Sequence, residues 1–275
     1  MDTLPHRTDF RFLNIGLHIR SDSEELLRFF HDSYQRFRTT TPTEHEFSVQ
    51  TRLNGSPWRG TFRSRSYECG VLKTGQGFVF CRRDRKTDSE ELILFSNGRQ
   101  QPISRADAFD NAETDHTPED NEHLFSFAQT ALLNTLARLL PEHHLFHSAA
   151  LTWQDNGFIL AGASGQGKSS LSLALVKYGC KFLSDDIACV DPARNQLEPF
   201  ARKLNLRQNG LPVLARLLPK KEIIPGSTDM EEIFPNSIGG PAPLRCLFLL
   251  RGFADQATIR PVPQHQALLE ALQNS

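Results

Sequence analysis

The first third of the chain combines one helical pattern with several short alternating ones. Residues 24–37 carry apolar side chains at helical spacing, behind a cap supplied by Asp22 or Ser23. Strand-like runs with turn signals between them follow at residues 47–53, 61–68, 77–82 and 92–96. This order predicts a small α+β module with an antiparallel sheet.

A polar segment separates this region from the next. Residues 111–122 are acidic and contain Pro118, which predicts an exposed linker. Residues 123–140 are strongly apolar and predict a helix that ends before Pro141. We therefore expect two domains, an N-terminal α+β module at residues 1–122 and a second domain at residues 123–275.

The second domain alternates strand and helix patterns. A hairpin is expected whose second strand, 157–161, leads into a glycine-rich loop, followed by a helix at 169–178 closed by Gly179. The other expected elements are strands at 146–153, 180–190, 244–251 and 257–261 and a final helix at 264–273. The pattern predicts an α/β core with a mixed sheet.

The glycine-rich loop matches G-x-x-x-x-G-K-[ST] in full. Glycines allow positive φ and let backbone N–H groups approach phosphate oxygens, and the following helix adds its positive end. Lys168 supplies a charge for the β and γ phosphates, and the Ser169 hydroxyl is a ligand for Mg²⁺. The loop thus predicts a site for ATP and Mg²⁺, with contacts from Gly162, Ala163, Ser164, Gly165, Gln166, Gly167, Lys168, Ser169 and Ser170.

Two adjacent carboxylates, Asp185 and Asp186, follow an apolar run. Beside a phosphate loop, one carboxylate can hold Mg²⁺ and the other can take the proton of an attacking hydroxyl. We assign the base to Asp185 and the metal to Asp186 together with Ser169. An exposed turn is the alternative for the two carboxylates, and a buried structural role is the alternative for His147, which is expected on the first strand of the hairpin.

The segment that contains these residues resembles the catalytic core of HPr kinase/phosphorylase and its HPr-kinase-like relatives. The resemblance rests on His-Ser-Ala-Ala-Leu from His147, on the glycine loop, on Phe-Leu-Ser-Asp-Asp up to Asp186, and on their spacing, and it covers residues 145–207. It implies a P-loop HPr-kinase-like core in which the loop holds ATP, the paired aspartates serve catalysis and the metal, and His147 lines the active site.

The chain also differs from the kinase/phosphorylases in that family. Ser170 stands where they usually have a glutamate, and Leu206-Arg207-Gln208 replaces a Glu-Arg-Gly-like site with a metal-ligating glutamate. These differences favour the looser group of HPr-kinase-like proteins, which includes kinases that modify ribosomally made peptides. Arg207 is a candidate for neutralising charge on the transferred phosphoryl group, and a surface arginine is the alternative.

Whole-chain composition favours a cytoplasmic protein. The net charge of −1 over 275 residues gives no field that would attract nucleic acid or a membrane surface. No apolar run approaches the roughly 20 residues that span a bilayer, and residues 1–12 lack the apolar stretch of a signal peptide. The five scattered cysteines contain no C-x-x-C pair and predict buried free thiols.

Three functions are compatible with the loop. The first is an ATP-dependent kinase that transfers the γ-phosphoryl group to a hydroxyl of a peptide, protein or small molecule. The second is a non-catalytic ATP-binding sensor or scaffold, and the third is a GTPase, which the absence of an N-K-x-D motif disfavours. His147, Asp185 and Asp186 together favour the kinase. The sequence does not identify the phosphate acceptor, and it leaves a homo-oligomer open.

Overall fold

The computed structural model describes residues 4–51, 58–97, 99–113, 119–163, 165–206, 215–216, 226–252 and 256–273. The chain divides into two compact units, Met1–Leu140 and Pro141–Ser275. The sequence pattern placed the boundary before the apolar helix, at residues 122 and 123. The helix instead belongs to the first unit, because its apolar side chains pack on the strands of that unit.

Eight strands form one sheet in the described part of the first unit, and they lie side by side in chain order. Neighbouring strands are antiparallel except β2 and β3, which are parallel because helix α1 (Glu24–Ser33) connects them. The expected antiparallel sheet is therefore wrong at this pair, and the sheet is mixed. The strands are β1 (His6–Phe12), β2 (Ile15–Ser21), β3 (His45–Gln50), β4 (Trp58–Arg63), β5 (Tyr67–Thr74), β6 (Gly77–Asp84), β7 (Glu90–Ser96) and β8 (Arg99–Pro102).

Helices pack on this sheet through apolar residues at helical spacing. Helix α1 starts after Ser23, whose side chain accepts a hydrogen bond from the Leu26 N–H and so satisfies one free donor of the first turn. Helix α2 (Arg105–Asp110) follows β8, and helix α3 (Glu119–Leu139) packs against β3, β4 and β5. The Phe127 ring of α3 stacks on Phe80 with centroids 5.5 Å apart. These contacts give the first unit its own core.

The second unit contains a seven-stranded sheet and a separate two-stranded one within its described residues. The order of the larger sheet is β12-β10-β11-β17-β14-β13-β9, and only the β11–β17 pair is parallel. Its strands are β9 (His144–Phe146), β10 (Ala149–Trp153), β11 (Asn156–Ala161), β12 (Lys181–Ser184), β13 (Ala188–Asp191), β14 (Gln196–Glu198) and β17 (Ala242–Leu249); β15 (Leu204–Leu206) pairs with β16 (Gly226–Thr228).

Three helices accompany these strands in the described part of the second unit: α4 (Lys168–Lys177), α5 (Met230–Ile233) and α6 (Gln264–Gln273). Four strand predictions need correction. In the first unit, the expected strand at 61–68 spans the turn between β4 and β5. In the second unit, the expected strand at 146–153 is interrupted, because residues 147 and 148 form a bend between β9 and β10. The expected strand at 180–190 is divided into β12 and β13 by a turn that contains both aspartates. The expected strand at 257–261 is absent, and Pro261 lacks the backbone N–H that a sheet ladder requires.

Strand directions bring several chain segments to one edge of the larger sheet. Strand β10 runs antiparallel to both β11 and β12, while β11 runs parallel to β17. The carboxyl ends of β11, β12 and β17 therefore lie beside the amino end of β10. The glycine loop and the paired aspartates follow two of these ends, and His147 immediately precedes the β10 region.

No helix among the described residues combines the length and the apolar character that crossing a bilayer requires. All five cysteines are free; Cys69, Cys81, Cys180 and Cys189 are buried as expected, whereas Cys246 is exposed on β17.

Candidate functional site

The loop between β11 and α4 is closed by its own side chains and backbone. The Gln166 side chain accepts a hydrogen bond from the Ala163 N–H at 2.9 Å, and the Leu171 N–H donates to Gly167 O at 2.8 Å, which starts helix α4. Parallel pairing with β17 fixes the other side, where the Leu250 N–H donates to Ala161 O at 2.8 Å. The loop is thus anchored at both ends.

The loop glycines have different reasons for being glycine. Gly165 and Gly167 have φ of +84° and +87°, in the left-handed region that favours glycine. Gly162 does not have a positive φ, although glycine would allow one. There a Cβ would lie 2.6 Å from Gln166 Oε1 and 3.0 Å from Leu250 O. Close packing, rather than backbone conformation, requires glycine at residue 162.

Lys168 is the first residue of α4 and its side chain is buried in the loop. Its Nζ donates to Gly162 O at 2.7 Å and approaches Ala163 O at 3.4 Å. A buried ammonium is stable only with such partners. These two carbonyls hold the cation inside the curve of the loop, at the positive end of α4, where an anion would be attracted.

Asp185 follows β12 directly and is buried. Burial raises the pKa of its carboxyl, while a hydrogen bond from Ser169 and the charges of Arg202 and Lys168 act in the opposite direction. Its Oδ1 atom has no hydrogen-bond partner among the described residues. The Ser169 contact joins the turn after β12 to the glycine loop.

Asp186 has different neighbours. Its Oδ1 lies 3.1 Å from His147 Nδ1, and its Oδ2 accepts a hydrogen bond from Arg202 Nη2. The Arg202 side chain is 12% exposed and the Asp186 side chain is 33% exposed, so water reaches this ion pair from the Asp186 side. The strand register produces the arrangement: Ala150 pairs with Ser184, which sets the residues before β10 beside the turn after β12.

Most of the site residues expected from the sequence come together at this edge of the sheet. Lys168, Ser169 and Asp185 form one group, and His147 and Asp186 form a second. Gly162, Ala163, Gly165, Gln166, Gly167 and Ser170 lie in the loop or at the start of α4. Ser164 and Arg207 lie outside the described residues.

Arg202 is the site residue that sequence reasoning missed. It follows Phe200, whose N–H donates to Leu183 O at 2.9 Å, and this bond brings the segment alongside β12. The pairing is non-local and leaves no periodic pattern in the sequence. The only local signal is an arginine close to the paired aspartates along the chain.

The residues present fit a phosphate-bridged Mg²⁺ rather than a metal held by protein alone. Among the described residues, no group of three or more His, Cys, Asp or Glu side chains is arranged to hold a metal ion. Mg²⁺ in nucleotide sites is commonly held by one or two protein oxygens together with phosphates and water. The Ser169 hydroxyl and the unpartnered Oδ1 of Asp185 supply such oxygens.

Comparisons with known proteins add little. No protein-family model and no curated protein matches the chain. The search of solved structures finds the HPr(Ser) kinase/phosphatase from Coxiella burnetii, at 20% identity over 38% of this chain and 64% of that one, with a TM-score of 0.30. The match thus spans less than two thirds of that protein, and a score this low carries no argument about fold or activity.

Proposed function

We propose that this protein is an ATP-dependent kinase that transfers the γ-phosphoryl group to a hydroxyl of a peptide, protein or small molecule. The proposal includes a P-loop HPr-kinase-like core in the second unit. The placement of Ser169 and Lys168 beside the buried carboxyl of Asp185 carries it, because both residues of the phosphate loop lower the pKa of a carboxyl that follows β12.

The loop would bind the triphosphate. The N–H groups at the start of α4 and the positive helix end attract phosphate oxygens, and Lys168 would exchange its loop carbonyls for the β and γ phosphates. Ser169 and Asp185 would hold Mg²⁺ or its water, and the metal would screen the charge of the phosphates. This assigns Asp185 to the metal, whereas the sequence-based hypothesis gave it the role of base.

In this scheme the base is His147. When a carboxylate lies at Nδ1, the imidazole places its proton on that nitrogen and its lone pair on Nε2. Nε2 would accept the proton of the acceptor hydroxyl as its oxygen forms a bond to the γ phosphorus. The bond from the γ phosphorus to the β–γ bridging oxygen breaks, and ADP leaves. Asp186 would orient His147 and stabilise the imidazolium, as carboxylates do beside catalytic histidines.

A non-catalytic ATP-binding module would need the loop but not this second group of residues. His147, Asp186 and Arg202 form a charged cluster beside the loop that contributes nothing to phosphate binding in the scheme above. Of the three side chains, that of Arg202 is largely buried, and burying its charge costs desolvation energy, so the pair is weak evidence for stability. The cluster therefore favours the kinase over the sensor or scaffold.

Calorimetric titration with ATP tests nucleotide binding. Wild type is expected to bind in millimolar Mg²⁺ and to lose most of its affinity in EDTA. Lys168→Ala should bind at least tenfold more weakly, which corresponds to about 1.4 kcal/mol. Lys177→Ala removes a lysine from the other end of the same helix and should bind like wild type. Equal affinity of Lys168→Ala and Lys177→Ala would contradict the proposed phosphate site.

A further inference from the structure

The second unit contains a large groove on the face of its sheet that also carries α4. Its volume is about 1080 Å³, and its floor consists of apolar side chains from β11, β17 and α4, among them Phe158, Phe248, Leu171 and Leu175. None of the described loop residues 162–169 lines it. The groove thus adjoins the phosphate loop at Leu250, and the rest of its lining lies outside the loop.

The groove exists because α4 covers only part of this face. Helix α4 packs over β10 and β12, and the neighbouring strands β11 and β17 are left partly uncovered. Large apolar side chains at its rim face water: Trp153 is 46% exposed, Tyr178 is 73% exposed and Ile259 is 84% exposed. Contiguous exposed apolar surface of this kind marks an interaction site, because leaving it in water costs free energy.

The charged side chains that line the groove are all positive. Arg245, Arg251 and Arg260 line the groove, and no carboxylate does. Arg251 is paired with Glu270 of α6, at 2.6 Å. Within the described part of the chain, Arg245 and Arg260 have no carboxylate partner; Arg245 contacts only the neutral Asn156 side chain. Two uncompensated cations thus flank an apolar floor.

We propose that this groove binds an acidic amphipathic helix of a partner protein. The apolar stripe of such a helix would cover the floor, and its flanking carboxylates would meet Arg245 and Arg260, which is charge complementarity across a helix-in-groove contact. A helix about 10 Å wide, rising about 1.5 Å per residue, would fill this volume with roughly nine residues. That length presents the two or three apolar anchors of one helix face.

The test selects helices from a phage-displayed library of amphipathic 16-residue peptides whose polar positions are randomised. Selection uses the full chain without nucleotide, and counter-selection uses Ile259→Asp, whose native side chain is mostly exposed and whose melting curve should match wild type. Enrichment of peptides with acidic residues at the randomised positions is the expected result. No enrichment over Ile259→Asp, or enrichment of neutral or basic peptides, would overturn the proposal.

Selected peptides are then synthesised and titrated by tryptophan fluorescence. The chain has two tryptophans, and only Trp153 lines the groove, so binding should shift the emission of wild type but not of Trp153→Phe. Arg260→Glu should weaken binding at least tenfold, whereas Arg28→Glu, an exposed arginine of α1, should leave it unchanged. Equal weakening by both variants would overturn the charge argument. Self-association of wild type that Ile259→Asp abolishes would assign the groove to a second copy instead.

This inference does not depend on the kinase proposal. The selection contains no ATP, and Lys168→Ala should enrich the same peptides as wild type. A protein that binds peptides but not ATP would refute the proposed function alone, and the converse result would refute the groove alone.

Discussion

His147 Nδ1 lies 3.1 Å from Asp186 Oδ1, although His147 precedes β10 and Asp186 follows β12. The contact depends on β10 and β12 running antiparallel with Ala150 opposite Ser184. Arg202 occupies the other oxygen of the same carboxylate. This carboxylate is therefore oriented by two basic side chains, and the neighbouring Asp185 instead contacts the phosphate loop through Ser169.

The two aspartates should respond differently to removal of their charge. Asp186→Asn should keep Mg·ATP affinity within a few-fold and lower the rate of phosphoryl transfer by 10²- to 10⁴-fold, a range typical of general-base loss. Asp185→Asn should weaken Mg·ATP binding as well, because it removes a metal ligand. Calorimetry and a γ-phosphate transfer assay on both variants measure these effects. The reverse pattern would restore Asp185 as the base.

Asp185→Asn should also raise the melting temperature of the nucleotide-free protein at pH 7. Burial raises the pKa of Asp185 in the folded state, so its contribution to stability is full below the unfolded pKa of about 3.9 and is lost as pH rises through the folded value. At pH 7 the folded wild type therefore bears the free-energy cost of a buried ionised carboxylate. The neutral asparagine of the variant avoids this cost. Between pH 4 and pH 7, the melting temperature should decrease less steeply with pH for Asp185→Asn than for wild type.

Asp191→Asn provides the contrast for that experiment. Asp191 is also buried, but its Oδ1 accepts hydrogen bonds from the N–H groups of Ala193 and Arg194. Its replacement should lower the melting temperature. If Asp185→Asn lowered it equally, Asp185 would be an ordinary structural carboxylate.

Gly162→Ala should reduce ATP affinity by about tenfold or more, near 1.4 kcal/mol. The added Cβ would displace the Gln166 side chain, which closes the loop, and would press on the Leu250 carbonyl. Gly240→Ala is the matched control, because its Cβ would meet no heavy atom within 4 Å. Calorimetric titration compares the two, and equal affinities would show that the loop adjusts to a side chain at residue 162.

Arg202→Met should lower the transfer rate at least tenfold with little change in the KM for ATP, since Arg202 acts through Asp186 and lies outside the loop. Arg202→Lys retains the charge but loses the fixed guanidinium geometry, and should recover part of the rate. Steady-state kinetics separate kcat from KM for both variants. A loss confined to KM would place Arg202 in ATP binding instead.

Local signals made part of this site predictable. Gln154 and Asp155 form a two-residue turn with φ of 49° and 61°, as the polar run between two strand patterns indicated. Gly179 ends α4 with φ of +102°, in the left-handed conformation typical after a helix. The loop itself is encoded in eight consecutive residues. Each of these features depends on neighbours in the chain.

Non-local pairing explains what the sequence did not reveal. The hydrogen bond from the Phe200 N–H to Leu183 O brings the segment that contains Arg202 alongside β12. This pairing joins distant parts of the chain, so the hydrophobic pattern of the sequence does not indicate it. The roles of Asp185 and Asp186 depend on the neighbours of each carboxylate in the folded protein. The sequence shows only two identical adjacent residues and does not indicate which one lies beside the phosphate loop. In the first unit, strand β1 escaped prediction because only Phe10 and Phe12 are apolar on its buried face, where the polar residues His6 and Thr8 precede them.

Release of γ-phosphate from labelled ATP, with water as the acceptor, tests the central claim most directly. Wild type and Lys177→Ala are expected to show slow release that requires Mg²⁺, whereas Lys168→Ala and Asp186→Asn, purified in the same way, should fall to the background. Release by wild type no faster than by Lys168→Ala, or release that EDTA does not abolish, would contradict the account of this site as a Mg·ATP-dependent phosphotransfer centre.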